Sequence, residues 1–337
     1  MTDPDLTTQY LGLTLRNPIV ASASPANADV NHLIALEAAG IGAVVLPSLF
    51  EEQIENDLLM MDDLGFGGPL SAEAVAGHRP NLDAYNTGPS DYLTLVESAV
   101  EHLDVPVIAS LNGISTGGWT SFAKQIEDGG ADALELNIYL VAANSNETGQ
   151  DIEDRYLQLV EEVRATVSIP LAVKLGPYFS SPANMAKRLA DAGADGLVLF
   201  NRFYQPDIDL DTLTVTPNLV LSNPAEMRLV LRWMALLHGR IDASLAATTG
   251  VHQAEDAVKL ILAGTDVVMI TSALLQHGAD YTTTIIDGVR QWFAHHEYTS
   301  LDQGRGSLSQ QNSLDPSAFE RANYTETIAS YVARHAT

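Results

Sequence analysis

Gly129-Gly130-Ala131-Asp132-Ala133-Leu134-Glu135-Leu136-Asn137 is one copy of a pattern that occurs four times in this chain. A helix ends on small residues, glycine follows, and after one or two more small or acidic residues an apolar run stops on a polar or small side chain. The other copies are Ala39-Gly40-Ile41-Gly42-Ala43 leading to Val44–Ser48, Ala192-Gly193-Ala194-Asp195 leading to Gly196–Asn201, and Ala263-Gly264-Thr265-Asp266 leading to Val267–Ser272. Glycine after a helix supplies its left-handed cap, and self-similarity along a chain marks a repeated structural unit.

Four more apolar runs interleave with these: Asn17–Ser22, Val105–Ser110, Ile169–Lys174 and Ile241–Thr248. Helical patterns lie between most of them, at Asp91–Leu103, Asp151–Val167, Asn184–Ala192, Pro224–Leu237 and Ala254–Leu262. Eight short, almost continuously apolar runs suit parallel strands buried on both faces. Such a series closes into a barrel or stays open as a doubly wound sheet. An open sheet carries an early Gly-rich turn, whereas Ala21–Asn31 contains no glycine. The reading is an α/β fold, a single (β/α)8 TIM barrel over residues 1–300, with a linker rich in Gly, Ser and Gln at Leu301–Pro316 and a last helix near Tyr324–Arg334 packing on the barrel. Gly65-Phe66-Gly67-Gly68 follows an acidic stretch, not a strand, and reads as an ordinary loop.

Composition removes several functions. With 17 basic and 43 acidic residues the net charge is −26, so the surface repels nucleic acid and anionic membranes. The absence of cysteine excludes disulfides, thiolate metal sites and an iron–sulfur centre in this chain. No apolar run approaches the roughly 20 residues needed to span a bilayer, and no signal-like segment opens the chain, so a cytoplasmic location is expected.

Three connections exceed ordinary lengths: Phe50–Ser90, Ile138–Gln150 and Arg202–Asn223, the last alternating enough over Asp207–Leu221 for a small antiparallel excursion. All three follow strands and so fall on the catalytic face, where the strand ends line the site. Those ends carry Ser22, Ser48, Asn112, Asn137, Lys174, Asn201, Thr248 and Thr271 or Ser272. The set holds neither histidine nor acid, which argues against metal hydrolysis and glycoside cleavage; His295-His296 and His238/His252 fall in helices or remote turns. An amide donates and accepts along a ring edge and an ammonium stabilises negative charge on it, so asparagines with one lysine suit a reduced flavin. Burying Lys174 demands a counter-charge or an anionic ligand. Thr248-Thr249-Gly250-Val251 and Thr271-Ser272-Ala273 fall where barrels bind phosphate, though each alone is also an ordinary turn.

In order along the chain, these strand ends resemble the dihydroorotate dehydrogenase family, over most of Leu11–His277. Asn17-Pro18 with Ala21-Ser22-Ala23 resembles its flavin-contacting first strand, and Val173-Lys174-Leu175-Gly176-Pro177-Tyr178 the segment whose lysine faces the flavin. The resemblance implies FMN as cofactor, held by Ala21, Ser22, Ser48, Asn112, Asn137, Lys174, Thr249, Gly250, Thr271 and Ser272, and a small-molecule substrate on Asn137 and Asn201. It also implies a homodimer and a CH–CH oxidation, with dihydroorotate the best-named substrate and a soluble protein as possible electron acceptor.

Three positions depart from the family pattern. Its proton acceptor aligns with Leu140, a following asparagine with Ala142 and an early lysine with Pro47. Ser145 and Tyr139 are then the candidate catalytic bases in the same loop. The missing base keeps open a flavin-binding barrel with another substrate or an accessory redox role, and a flavin-free barrel forming a Schiff base on Lys174.

Overall fold

The computed structural model describes residues 3–57 and 88–335. A hairpin of β1 (Thr8–Tyr10) and β2 (Leu13–Leu15) precedes the barrel strands β3 (Ile19–Ala21), β4 (Ala43–Phe50), β5 (Val107–Asn112), β6 (Ala133–Asn137), β7 (Leu171–Leu175) and β8 (Gly196–Leu199). A second hairpin, β9 (Pro206–Asp209) and β10 (Thr214–Pro217), interrupts the series before β11 (Ser244–Thr248) and β12 (Val267–Ile270) complete it. The eight parallel strands close in the order β3-β4-β5-β6-β7-β8-β11-β12, as the repeat predicts.

Each element of the repeat has a visible task. Gly40, Gly130, Gly193 and Gly264 all adopt positive φ, between 91° and 118°, which turns the chain from helix to strand. The aspartates two residues further on then clamp the preceding strand. Asp132 Oδ2 accepts the N–H of Val107 at 2.8 Å, Asp195 Oδ2 that of Leu171 at 2.8 Å and Asp266 Oδ2 that of Leu245 at 2.7 Å. In return each aspartate N–H bonds the carbonyl of the same residue. The first copy has Gly42 instead, because the chain passes too close for a side chain: a Cβ there would lie 2.3 Å from the Asn17 carbonyl. Asn17 does the bridging, its amide donating to Gly40 O and its Oδ1 accepting from Ile19 N–H.

Both faces of the strands are buried, but alternate residues enter different cores. Ala21, Val44, Ala109, Leu111, Leu134, Leu136, Val173 and Ile270 face outward onto the helices. Val20, Val45, Ile108, Ala133, Ala172, Val198, Ala246 and Met269 fill the barrel, with Tyr10, Leu11 and Leu15 of the entry hairpin. That hairpin plugs the floor. Its turn, Leu11-Gly12, has φ of +54° and +74°, as a two-residue hairpin requires, and strands this short leave little periodic signal in the sequence.

Differences from expectation are local. β4 is longer than Val44–Ser48 because its register with β5 shifts between Val45 and Ser48; Pro47, lacking an N–H, falls inside that irregularity. The antiparallel excursion expected over Asp207–Leu221 is present as the β9–β10 pair. Residues Leu301–Pro316 do not form a surface linker throughout. Leu301 is buried, and the N–H groups of Gly306, Leu308 and Gln310 bond the carbonyls of Ile261, Leu262 and Ala235. Gly304 and Gly306 permit the close approach, since a Cβ there would lie 2.6 Å from the Phe293 ring and 2.1 Å from the His238 ring, whereas composition alone reads such glycines as a linker. The last helix spans Ala322–His335. Gly65–Gly68 lies outside the described residues, and among those described no helix is long and apolar enough to cross a membrane.

Candidate active site at the barrel mouth

Two residues beyond the apolar filling, the inward positions turn polar: Val20 gives way to Ser22, Ile108 to Ser110, Ala172 to Lys174, Ala246 to Thr248 and Met269 to Thr271. Register lines up the next tier, Asn112 beside Asn137 and Asn137 beside Lys174. All of these groups except Ser110 border a cavity of about 590 Å³, a size typical of cofactor and substrate sites. Ser22, Ser48, Asn112, Asn137, Lys174, Asn201, Thr249, Gly250, Thr271 and Ser272 all line it. Ala21 does not; its parity sends it into the outer core.

Lys174 is 7% exposed and finds the counter-charge its burial demands. Its Nζ lies 3.4 Å from Glu135 Oε1 and 3.3 Å from Ser22 Oγ. Glu135 is fully buried, and its Oε2 has no hydrogen-bond partner among the described residues. The sequence carries the signal for this carboxylate, since strand alternation puts Glu135 on the same face as Asn137. Asn201 donates its amide to Asn137 Oδ1, and Ser48 and Ser110 share a hydroxyl contact at 2.8 Å.

At the opposite wall Thr249 and Gly250 have φ of +84° and +79°. A Cβ on Gly250 would stand 2.5 Å from the Met227 backbone nitrogen, so only glycine fits there. Thr249 donates its hydroxyl to Phe200 O at 3.2 Å. Ser222, from the long connection after β8, donates to Ser272 Oγ at 2.9 Å and contacts His252 Nε2 at 3.2 Å. His252 is therefore not remote from the site: it backs a residue of the cavity wall. Tertiary folding of a distant loop makes that contact, and no local spacing announces it.

The candidate bases separate. Tyr139 lines the cavity, stacked on Phe203 with ring centroids 4.3 Å apart, and its oxygen accepts the Tyr204 N–H at 2.9 Å. Burial pushes its hydroxyl above the usual phenol range, so at neutral pH it is a proton donor. Ser145 is exposed and lies outside the lining. Leu140 is 8% exposed and, with Ala142, borders a second cavity of about 420 Å³ among Tyr156, Tyr178, Phe179 and Phe203. Acids do reach the mouth, contrary to the strand-end reading: Glu51 and Glu52 stand at its rim, just past β4. Desolvation by burial raises the Glu51 carboxyl, opposed by the N–H groups of Ile114 and Ser115.

The described cavity suits a flavin. An orphaned buried carboxylate oxygen lies beneath an ammonium, amides flank it, and a wall that only glycine can form stands opposite. Comparison with known proteins agrees: the family model described as dihydroorotate dehydrogenase matches residues 5–293. The chain belongs to the dihydroorotate dehydrogenase family. It is similar to the dihydroorotate dehydrogenase B (NAD(+)) catalytic subunit of Methanothermobacter thermautotrophicus, 26% identical over 88% of this chain and 96% of that protein. The putative dihydroorotate dehydrogenase A (fumarate) of Aeropyrum pernix is 28% identical over 88% of this chain and 95% of its own length. The NAD-dependent dihydropyrimidine dehydrogenase subunit PreA of Escherichia coli K12 is 24% identical over 96% of this chain and 81% of that subunit. Members of one family thus carry names for two substrate types.

Proposed function

We propose that the chain is an FMN-dependent oxidoreductase acting on a CH–CH bond of a small cyclic substrate. One observation carries this reading: Lys174, buried and neutralised from below by Glu135, lines the same cavity as the Asn137–Asn201 amide pair. Bound FMN would supply the hydride acceptor. Lys174 would stabilise negative charge on the ring edge, with Ser22 and Glu135 fixing its ammonium, while Asn112 and Asn137 offer amides to the same ring. Thr249, Gly250, Thr271 and Ser272 would hold the phosphate end. Asn137 and Asn201, joined to each other, would orient the substrate.

Purified protein should show a flavin absorbance band, or gain one on adding FMN; protein that stays colourless after FMN is added defeats the reading. Dihydroorotate is the first substrate to mix anaerobically, since relatives are named for it, and bleaching at a catalytic rate is the outcome expected of a dihydroorotate dehydrogenase. A second reading, a flavin-binding barrel with another substrate or an accessory redox role, is favoured by Leu140, which borders the second cavity and carries no proton acceptor. Flavin that binds but is not bleached selects it. Because two relatives are named as subunits, a soluble partner protein is the acceptor to test first.

A further inference from the structure

We propose that Glu135 is a positioning residue that holds the positive charge of Lys174 in place in advance, so that reduction of the bound flavin brings no proton uptake at the lysine. The inference rests on the flavin-barrel reading above and names what sets the charge of that site. The four lysines of the chain fall into two groups. Lys124, Lys187 and Lys259 have side chains between 51% and 63% exposed and pair with acids on their own helices. The Lys174 side chain is 9% exposed, and its one counter-ion among the described residues is Glu135, at 3.4 Å from strand to neighbouring strand. Lys174 lines the cavity, whereas Glu135 is fully buried and does not. From a distance the pair carries no net charge, but at contact range the ammonium is the pole nearer a ligand.

The other titratable groups around Lys174 do not replace Glu135. Glu51 and Glu52 stand at the rim, and Glu51 accepts the N–H groups of Ile114 and Ser115. Arg202 is paired with Glu226 at 2.9 Å. Tyr139 in the wall is raised by burial, and Tyr10 on the plug is pushed well above the phenol range by burial, by Glu135 and by Asp266. Both bring a proton and no charge at neutral pH. The Tyr10 hydroxyl and Glu135 Oε2 are moreover buried without hydrogen-bond partners among the described residues, so the interior offers the lysine no second anion. An ammonium in so dry a place sheds its proton unless a carboxylate stays beside it.

The test labels lysine Cε with carbon-13 in FMN-loaded protein, where four signals are expected and Lys174→Arg assigns the buried one by its loss. In wild type the Lys174 signal should stay at its charged position as far up the pH scale as the exposed three. In Glu135→Gln it should lose its proton at least about two pH units lower, a hundredfold change in proton affinity. The two-electron potential of the flavin gives a second reading. Above the pH at which the variant lysine loses its proton, the Glu135→Gln potential should fall more steeply than in wild type by one proton per two electrons. That is tenfold in equilibrium, or about 30 mV, per pH unit. Lys174→Arg, whose charge is permanent, should keep the wild-type slope. A Lys174 that titrates alike in wild type and Glu135→Gln, equal slopes in those two proteins, or a shallower slope in Lys174→Arg each overturns the proposal. Should Glu135→Gln not fold, the wild-type titration and the Lys174→Arg slope decide. Protein that never takes up FMN defeats the flavin reading instead, while its lysine titration still judges Glu135, so the two failures are distinguishable.

Discussion

The floor and the mouth of this barrel are made by the same strands, two residues apart, and differ in what their inward positions do. At the floor, Val20, Ile108, Ala172 and Ala246 pack against the Tyr10–Leu15 plug. At the mouth, Ser22, Lys174 and Thr248 border open space, and Ser110 meets the hydroxyl of Ser48. The contrast teaches that stability and chemistry share strands without sharing positions. A side chain at the mouth can therefore change while the packing that forms the barrel stays intact.

The sharpest way to break this division is at Lys174, where the two regions touch through Glu135. Lys174→Met leaves a fully buried carboxylate unpaired and should cost about 3–5 kcal/mol in urea unfolding. Adding Glu135→Gln should restore more than half of the loss. A single variant as stable as wild type would show that the pair is not what holds this tier.

Away from that junction, Leu15→Ala at the floor should lose about 2–4 kcal/mol as a core truncation, yet leave FMN affinity unaltered in the protein that remains folded. Asn137→Ala at the mouth should do the reverse, losing under about 1 kcal/mol of stability and weakening FMN about tenfold by fluorescence titration. Equal effects on both measurements would erase the contrast.

The smallest effect is a pH dependence. The Glu51 carboxyl is raised in the folded protein, chiefly by burial, so the native state binds its proton more tightly than the unfolded chain. Stability from this group is therefore present at low pH and lost as pH rises from the ordinary carboxylate range through the raised value. Glu51→Gln should gain on wild type as pH rises above the ordinary carboxylate range in thermal melts. A gain in the opposite direction would mean that the backbone donors outweigh the burial.

Sequence makes the fold legible because the repeat states its own reasons. The glycines that cap and the aspartates that clamp occupy fixed offsets from apolar runs of one length. The polar tier is legible for a related reason: a strand end at a barrel mouth is a position that can be counted. What escapes is whatever depends on parity within a continuous apolar run or on a contact across the chain. Ala21 lies one residue from Ser22 yet faces the other core. Glu135 sits inside a strand and was legible only by counting back two from Asn137. Glu51 lies one residue beyond β4, hidden by the shift at Pro47 that lengthens the strand, and Ser222 meets His252 and Ser272 through a fold-back that no local pattern encodes.

The three aspartate clamps have a further consequence for the mouth. Asp132, Asp195 and Asp266 each tie the start of one strand to the start of the next, and so set the stagger between neighbouring strands from below. In a closed barrel that stagger sums around the ring to a fixed shear. The side-by-side setting of Asn112, Asn137 and Lys174 is therefore a vernier reading whose zero is fixed at the opposite end of the molecule. A clamp aspartate can disturb the site without approaching it, by letting one strand slide against its neighbour.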